Sequence, residues 1–455
     1  MRKKIIALIS LILSFVFMLS GCEFVLFYEN YLENPREDSS EYAAMGNGNP
    51  RDEERLSGEL ELQIWTNESD LQDEMWRTII SKFEEVTGVT VTAHIGSQVN
   101  TQMSGRWMDG NPPDVVALTG SGIPDAAWEK SDVVADLTDL VMNGYVYGEN
   151  VKISEVVDLA NFSRSSKTAG YYRIPASASA YGLFYDLNYM SQLGLNAPRN
   201  FTQLMQFVKD ANAKGVSPFT TNGATGGYST WTLVMNTLAS YGQEFCDEAM
   251  LGTKAAWSGN EVRTTFERLK AFCDAEGSML KGTASFDHTT AHINWLNRKA
   301  LLCGDGIWLP WEVKNNTPEG FDMQYISSPL IGEDQKPAAV AYTSGMMVAS
   351  KAKNPENARA FIRFLYTMYA QQVFTRYEGY IPMRKDLDIN NVPGLSTASK
   401  RILEYLLSDE IDLITKTYLW GDLNEVINSV VQKFITGSIT VDNAIKTISE
   451  SQYAK

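Results

Sequence analysis

Apolar and polar residues follow a regular order from residue 59 onward. Strict alternation in ELELQIW places Leu60, Leu62 and Ile64 on one face of a β-strand. Residues 73–86 then carry apolar side chains three and four positions apart, which is the spacing of an amphipathic helix. Gly88 follows as the C-terminal glycine of that helix. The pattern predicts a strand followed by a helix.

The same pattern continues through two more strands. Alternation from Val89 to Ile95 predicts a second strand, and the apolar run Val115–Leu118 predicts a buried third one. Strand, helix, strand, helix, strand is the order of a parallel sheet with helices on its faces. Ligands bind such sheets outside the carboxyl ends of the strands. The candidate ligand-binding residues at these ends are Trp65, Asn67 and Ser121.

The rest of the chain predicts more helix than strand. Apolar residues recur at helical spacing in Phe201–Lys214, Glu261–Glu276 and Asn357–Val373, and again within Leu423–Lys446. The apolar segment Met346–Ala349 predicts a strand before the third of these helices. This alternation of strands and helices predicts the α/β class.

The N-terminal residues predict an export signal. Basic residues at positions 2–4 precede an apolar run over positions 5–19. That run has about 15 residues, fewer than the ~20 that a membrane-spanning helix requires. A basic start and a short apolar run are typical of a secretory signal peptide. The run ends in LSGC at positions 19–22, which resembles the lipobox of bacterial lipoproteins.

The lipobox resemblance implies that residues 1–21 are a signal peptide and that Cys22 is the lipid attachment site. The acyl chains of the lipid on Cys22, such as palmitate, would hold the protein on the outer face of the cell membrane, since two chains suffice for lasting attachment. Residues 22–57 are mostly polar and charged, which predicts a disordered tether. An ordinary signal peptide with an incidental cysteine, or an uncut anchor, is the alternative.

Composition narrows the functional class. The remaining chain is long for a single hydrophobic core, which predicts two lobes. The formal net charge of −16 argues against nucleic acid as a partner. Cys246, Cys273 and Cys303 allow at most one disulfide and have no metal-ligand spacing, so small buried side chains are their expected role.

Motifs of enzymatic chemistry are largely missing from the sequence. His288 and His292 are four residues apart, but Thr289 stands where a zinc protease has its glutamate. The sequence contains neither a Gly-x-Ser-x-Gly motif nor a Walker-type phosphate loop. A carboxylate pair for glycoside hydrolysis remains an alternative, because acidic residues that are distant in the chain can lie close together in the folded protein. We therefore predict no catalytic residue, no cofactor and no metal.

Several aromatic residues stand beside small or polar residues at predicted loop positions. They are Trp65, Tyr181, Trp231, Trp308, Trp311 and Tyr342. Sugars offer C–H faces to aromatic rings and hydroxyls to carboxylate or amide groups. The pattern indicates a sugar-binding site, while packing in the core is the alternative for each residue.

Segments spread along the chain together resemble one family, the extracellular solute-binding lipoproteins of carbohydrate ABC importers, which are relatives of maltose-binding protein. They are Lys82–Val91, Gly170–Leu204, Trp295–Trp308, Ser344–Leu365 and Gly379–Leu387. The chain departs from the family pattern with Asp186 for Asn, with Asn200-Phe201 for Thr-Trp, and with Arg298 for Gly.

The resemblance implies a two-lobed periplasmic-binding-protein-like fold of type II. Each lobe is a mostly parallel sheet flanked by helices, and hinge strands join the lobes. The implied lobes are 58–173 with 337–384, and 174–336 with 385–455. The chain would cross between them near Arg173, Pro337 and Arg384.

The resemblance also implies what the site does. Trp308 corresponds to the family's stacking tryptophan, and Asp305, Thr343 and Ser344 correspond to cleft-facing positions. A carbohydrate, with an oligosaccharide as the expected ligand, would bind between the lobes of a monomer and pass to ABC permease subunits. Retention by a lipid fits a Gram-positive-type envelope. An extracellular carbohydrate-active enzyme and a surface sugar receptor without transport are the alternatives.

Overall fold

The computed structural model describes residues 51–66, 70–118, 128, 131–162, 168–416 and 422–455. The predicted signal peptide, Cys22 and all but the last residues of the tether lie outside this part of the chain. The elements of the fold belong to one compact unit, Glu54–Tyr147 with Val151–Lys455. Among the described residues, no helix has the length and apolar character needed to cross a bilayer.

The strands form one mixed sheet. In chain order they are β1 Glu59–Ile64, β2 Thr90–Ile95, β3 Val115–Leu118, β4 Ile174–Asp186, β5 Ser217–Thr221, β6 Ala300–Gly306, β7 Met323–Ile326, β8 Ala338–Val348, β9 Ile381–Pro382 and β10 Asp412–Lys416. Their spatial order is β2-β1-β3-β8-β4-β6-β5, with β10 beside β8 and with β7 and β9 beside β4.

Helices cover the sheet. They are α1 Asp70–Thr87, α2 Val99–Met108, α3 Thr138–Asn143, α4 Ile153–Val156, α5 Leu187–Leu193, α6 Phe201–Ala213, α7 Gly227–Ser229, α8 Asn236–Ala239, α9 Gln243–Leu251, α10 Lys254–Trp257, α11 Asn260–Asp274, α12 His288–Leu296, α13 Leu309–Glu312, α14 Pro355–Leu365, α15 Met368–Glu378, α16 Thr397–Leu406, α17 Asp422–Ile435 and α18 Val441–Ser449. A π-helical turn, Thr230–Met235, joins α7 to α8, and short 3₁₀ turns occur at Leu159–Asn161, Thr283–Ser285 and Ile389–Asn391.

One long strand, β4, connects the parts of the sheet. β1 runs parallel to β2 and β3, and β5 runs parallel to β6. The first part of β4 pairs with β8 and β9, and its second part pairs with β6 and β7, all antiparallel. β4 therefore passes from one group of strands to the other, and the small residues of ASASA, 176–180, lie in its first part.

The hydrophobic interior forms two large clusters. The first is built around β1–β3, α1, α14 and α15, where the Phe83 ring lies 5.1 Å from Phe361 and 5.5 Å from Phe364. The second is built around β5, α6, α11 and α17, where Phe266 lies 5.2 Å from Phe434. The first cluster also takes in Trp295 and other residues of the segment that we assigned to the second lobe. The lobe boundaries stay a prediction.

The early elements confirm the prediction from periodicity. Leu60, Leu62 and Ile64 are buried on β1, and Gly88 ends α1 with a positive φ of 81°. The single helix that we expected over residues 357–373 is wrong, because the structure has α14 and α15 there. Thr367 adopts an extended conformation and its hydroxyl accepts a hydrogen bond from the Ala370 N–H, which begins a new helix.

Two of the departures from the family pattern contact each other. Arg298 has a φ of 59°, a left-handed conformation that glycine adopts at less cost. Its Nη2 lies 2.9 Å from Oδ2 of Asp186, and its guanidinium lies 5.0 Å from the Tyr189 ring centroid. Asp186 also accepts hydrogen bonds from the Asn188 and Asp322 N–H groups. The carboxylate that replaces Asn thus holds the arginine that replaces Gly.

The three described cysteines are free thiols. Cys246 and Cys303 are fully buried, and Cys273 is half-buried. Burial raises the pKa of Cys273 to about 12. These cysteines act as small core side chains, as we expected.

Candidate functional site

The candidate site lies where β4, β6 and β8 come together. Tyr181 on β4 pairs with Gly306 at the end of β6, and Tyr342 on β8 pairs with Ser179 on β4. Trp308 follows β6 by two residues. The register of these strands brings together side chains that are far apart in the chain.

Five aromatic side chains form one group, called here the aromatic cluster. Its members are Tyr181, Tyr228, Trp231, Trp308 and Tyr342. Tyr181 stacks on Trp231 at 6.0 Å and on Tyr342 at 5.6 Å, with interplanar angles of 19° and 26°. The edges of Trp308 and Tyr228 meet Tyr181 at 5.0 Å and 5.6 Å. Offset and edge-to-face contacts of this kind stabilise aromatic groups beyond the area that they bury.

The aromatic cluster is only partly covered. Tyr181, Tyr228, Trp308 and Tyr342 are half-buried, whereas Trp257 and Trp295 in the hydrophobic clusters are fully buried. The exposed parts of these rings are suited to contact with an apolar surface of a ligand.

Gly306 fixes the position of Trp308. A Cβ atom built on Gly306 would lie 2.2 Å from Cη2 of the Trp308 ring. Real Cβ atoms do not approach so closely, so the tryptophan can fold back over the strand end only because residue 306 has no side chain. Close approach of this kind is a common reason for glycine in a strand.

A π-helical turn carries Trp231, the most buried ring of the aromatic cluster. Trp231 lies in this turn, and Asn236 follows it. The Asn236 amide donates a hydrogen bond of 2.8 Å to the Tyr181 carbonyl and accepts one of 3.0 Å from the Val340 N–H. This buried side chain therefore ties the turn to both β4 and β8. Single π-helical turns within helices occur frequently at functional sites.

A histidine between two carboxyl groups lies beside the aromatic cluster. Nε2 of His292 lies 2.5 Å from Oδ2 of Asp305, and Nδ1 lies 3.9 Å from Oε2 of Glu312. Oδ1 of Asp305 accepts a hydrogen bond of 2.7 Å from the Gly306 N–H. Both oxygens of the fully buried Asp305 are thus engaged within the protein.

The environment shifts the pKa of each of these ionisable groups. Burial lowers the pKa of His292, but the carboxylates around it, Asp305 foremost with Glu312 and Asp287, together raise it above its ordinary value. Burial, helped by the charge of Asp305, raises the pKa of Glu312 to about 7. Burial also raises the pKa of Glu378. The site therefore holds carboxyl groups that bind protons more tightly than ordinary ones.

The same three residues meet one geometric criterion for a cation site. The ligand atoms of His292, Asp305 and Glu312 lie within 4.8 Å of one another. However, the two carboxyl groups face different nitrogens of the ring. One metal ion binds one imidazole nitrogen, whereas a protonated imidazolium offers an N–H to each side. The arrangement fits an imidazolium better.

The site continues toward the first hydrophobic cluster. The Gln72 amide donates a hydrogen bond of 3.3 Å to Glu378, and Glu378 is also bonded to Tyr380. Gln72 and Tyr380 line a small cavity together with Ser177 and Gly345. Polar groups therefore border the aromatic cluster on this side as well.

The structure brings together some of the predicted site residues. Trp308, Tyr181 and Trp231 belong to the aromatic cluster, and Asp305 lies beside it. Thr343 is buried next to Tyr342, and Ser344 lies in β8. The role of each as a ligand contact stays a prediction.

Other predicted residues lie elsewhere or outside the described chain. Trp65 is half-buried just after β1. The Trp311 ring lies 5.7 Å from Tyr377, and Nζ of Lys314 lies 3.5 Å from the Trp311 ring centroid. Asn67 and Ser121 lie outside the described residues.

Sequence reasoning missed Tyr228, Glu312, Glu378 and the role of His292. Tyr228 precedes Trp231 by three residues and Glu312 follows Trp308 by four, so helical spacing from the predicted aromatics could have indicated both. The two remaining residues had no comparable signal in the sequence.

Comparison with known proteins supports a binding role. Residues 68–372 match the family described as bacterial extracellular solute-binding protein. The chain is 21% identical to the Multiple sugar-binding protein of Streptococcus mutans over 69% of its own length and 73% of that protein. It is 22% identical to the diacetylchitobiose binding protein of Streptomyces coelicolor, over 81% of this chain and 82% of that protein.

A solved structure shows the same fold. The chain is similar to a probable secreted solute-binding lipoprotein from Streptomyces coelicolor, with a TM-score of 0.70, 15% identity, and coverage of 89% of this chain and 100% of that one. This likeness confirms the type II binding-protein fold. The family match covers well over half of the chain and confirms the resemblance stated above, and its relatives are binding proteins rather than enzymes. The chain belongs to the family of bacterial extracellular solute-binding proteins.

Proposed function

We propose that this protein captures a sugar, with an oligosaccharide as the expected ligand, on the aromatic cluster and delivers it to an ABC import permease. One observation carries the proposal: five aromatic side chains meet where β4, β6 and β8 come together, and four of them keep part of their surface exposed. Relatives named for sugar binding, and a similar structure described as RafE in complex with raffinose, support the same ligand class.

The geometry suits a sugar for two reasons. The exposed parts of the rings can contact the C–H faces of pyranose rings, which stack on tryptophan and tyrosine. Glu312, which acts on Tyr228, and Asn222, which follows β5, have buried oxygens to which no described residue donates a hydrogen bond. Sugar hydroxyls can supply these donors, so stacking and hydrogen bonding act on the same ligand.

The long strands β4 and β8 are the proposed hinge between two lobes. β4 pairs with strands of both groups and β8 lies between β3 and β4, and Arg173 and Pro337 stand directly before these two strands, at positions where we predict the chain to cross. A sugar that contacts both lobes would favour the closed arrangement by its differential affinity for that state. Trp308 and Tyr342 are the proposed contacts on either side.

A lipid on Cys22 is the proposed means of retention. The LSGC sequence and the polar stretch that follows support this assignment, and a similar structure is described as a probable secreted solute-binding lipoprotein. The tether would let a monomeric binding protein reach permease subunits in the same membrane. This arrangement suits an envelope of the Gram-positive type. Mass spectrometry of the membrane fraction, comparing the native chain with Cys22→Ser, would test the attachment.

A thermal-shift screen against neutral and charged glycans tests the proposed binding. At about 100 times its dissociation constant a ligand stabilises the folded state by about 2.7 kcal/mol. We expect at least one glycan to raise the melting temperature, and we expect Trp308→Ala to reduce that rise. A melting temperature that no sugar changes would count against the proposal.

Uptake in cells tests delivery. We expect deletion of this protein to abolish import of the sugar found in the screen, and Trp308→Ala to reduce it. Normal uptake in the deletion strain would show that the protein serves another purpose, such as a surface receptor. Shorter products released from the sugar by the purified protein would indicate an enzyme instead.

A further inference from the structure

The aromatic cluster lies in a negatively charged environment. The charges of Asp305 and Glu312 act on Tyr228, and the charge of Asp305 also acts on Tyr181. Glu378 and Asp305 act on Tyr342. Among the described residues whose charges act most strongly on these three tyrosines, there is no lysine or arginine.

His292 balances only part of this charge. Its Nε2 lies 2.5 Å from Asp305, which is a charge-assisted contact. Its Nδ1 lies 3.9 Å from Oε2 of Glu312, which is too long for a hydrogen bond. Glu378 lies in the same field and raises the pKa of Glu312 further. One imidazolium thus faces two carboxyl groups, Glu378 adds its charge to Glu312, and no described residue donates a hydrogen bond to Glu312 Oε2.

Two buried hydrogen-bond acceptors in this part of the molecule lack a donor among the described residues. Oε2 of Glu312 and Oδ1 of Asn222 are buried, and no described residue donates to either atom. Thr221 pairs with Gly304, so Asn222 and Asp305 come next to each other at the ends of β5 and β6. Asn222 is only 8% exposed. Buried acceptors without donors cost free energy, which a ligand rich in N–H or O–H groups recovers.

A protonated amine satisfies both the charge and the acceptors. An ammonium group carries one positive charge and three N–H donors. A hydroxyl supplies a single donor and no charge, and a carboxylate would add like charge beside Asp305, Glu312 and Glu378. Of these three groups, ammonium offers the most to the site.

We propose that this site is selective for a glycan that carries a protonated amine, whose ammonium group binds beside Glu312, and that it rejects uronic acids. The inference rests on the proposed function, since it specifies which sugar the aromatic cluster accepts. In the empty site Glu312, with its pKa of about 7, carries a proton below neutral pH. The ammonium takes the place of that proton, so binding of the amine releases a proton to the buffer.

Calorimetry on the full-length chain in detergent tests the proposal. The probes are glucosamine and galactosamine oligosaccharides, their N-acetylated forms and galacturonic acid oligosaccharides, at about pH 6 in two buffers of different ionisation enthalpy. We expect one amine to bind about tenfold more tightly than its N-acetylated form, on the scale of charge-assisted hydrogen bonds. Its binding should release most of one proton, while the uronic acids should not bind.

The outcomes separate this inference from the proposed function. Binding of any neutral glycan without a preference for an amine would overturn the inference and leave the proposed function standing. Proton release that is the same for an amine and for its N-acetylated form would overturn it as well. If no glycan binds at all, the proposed function itself fails.

Variants of Glu312 locate the effect. We expect Glu312→Gln to abolish both the amine preference and the proton release, with a much smaller change in affinity for the N-acetylated form. Glu312→Asp keeps a carboxylate and should keep part of the preference. The exposed Glu319, which lies seven residues further along, provides the control Glu319→Gln. Melting temperatures confirm folding, and a full preference in folded Glu312→Gln would contradict the proposal.

Discussion

The aromatic residues of the first hydrophobic cluster and those of the aromatic cluster differ in chemistry and in exposure. Phe83, Phe361 and Phe364 are fully buried and meet edge to face. The aromatic cluster consists of tyrosine and tryptophan, and most of its rings are half-buried. Phenylalanine has no polar group to satisfy, whereas tyrosine and tryptophan combine an apolar face with a hydrogen-bonding edge. Aromatic content alone therefore does not distinguish a core from a binding surface.

Shortening a core ring should separate stability from binding most clearly. We expect Phe83→Ala to lower the free energy of unfolding by about 3–5 kcal/mol, because the ring packs against two phenylalanines that cannot close the cavity. Urea denaturation measures the loss. The folded fraction should bind sugar as the native protein does, and weaker binding by that fraction would show that the core and the site are coupled.

The pH dependence of the free energy of unfolding should show whether Glu312 binds a proton in the folded protein. The folded pKa of Glu312 is raised to about 7, so the folded state holds a proton that the unfolded chain releases above about pH 4.5. Stability from this group is present at low pH and is lost as pH rises toward 7. His292, whose pKa is also raised, acts in the same direction. We expect the native protein to lose about 1–3 kcal/mol more than Glu312→Gln does between about pH 5 and 8.

Urea denaturation of both proteins at the two pH values measures this difference. Glu319→Gln is again the control, because the residue is exposed. Equal pH profiles for the native protein and Glu312→Gln would mean that the carboxyl group is ionised throughout.

Removing the tryptophan of the aromatic cluster should give the opposite result to the core variant. We expect Trp308→Ala to weaken sugar binding by about 1–3 kcal/mol, the scale of a lost aromatic contact. Because the ring is half-buried, the free energy of unfolding should fall less than in Phe83→Ala. Calorimetry and urea denaturation measure the two quantities.

Gly306→Ala provides a matched variant that keeps the tryptophan. Its new methyl group would collide with the ring and displace it. Binding should therefore weaken even though Trp308 is present. Unchanged affinity in folded Trp308→Ala would remove this residue from the site.

The smallest expected effect concerns the contact between Asp186 and Arg298. A double-mutant cycle with Asp186→Asn and Arg298→Gly should give a coupling of about 0.5–1 kcal/mol, since the arginine is partly exposed. Arg298→Gly alone should be close to neutral, because release of the left-handed strain offsets the lost ion pair. Sugar affinity should stay constant in all variants. A coupling near zero would show that the two departures from the family pattern are independent.

Local patterns predicted the early part of the fold well. Residues 59–118 show two clear periodicities, the alternation typical of strands and the spacing of three to four residues typical of helices. Each periodicity indicates which side chains face the interior. The break before α15 was missed because apolar residues continue at helical spacing on both sides of Tyr366 and Thr367. α14 ends because the Thr367 hydroxyl caps the next helix. The spacing of hydrophobic residues does not indicate such a cap.

For the site, the sequence indicated the types of residue but not their grouping. Trp308, Tyr181 and Trp231 were predicted from their small and polar neighbours, while Tyr228 and Glu312 were not. Tyr181 and Tyr342 stack at 5.6 Å although they are far apart in the chain. Their contact depends on the register between β4 and β8, which local sequence does not specify.

The sequence by itself determined the α/β class, the family and the early strands and helices, because these follow from local periodicity and from the spacing of motifs. Only the tertiary structure decided which aromatics share one surface and that His292 lies between two carboxyl groups. It also decided that Asp186 holds Arg298. The physical reason is that hydrogen bonding, burial and pKa depend on neighbours in space, and strand pairing brings those neighbours together from distant parts of the chain.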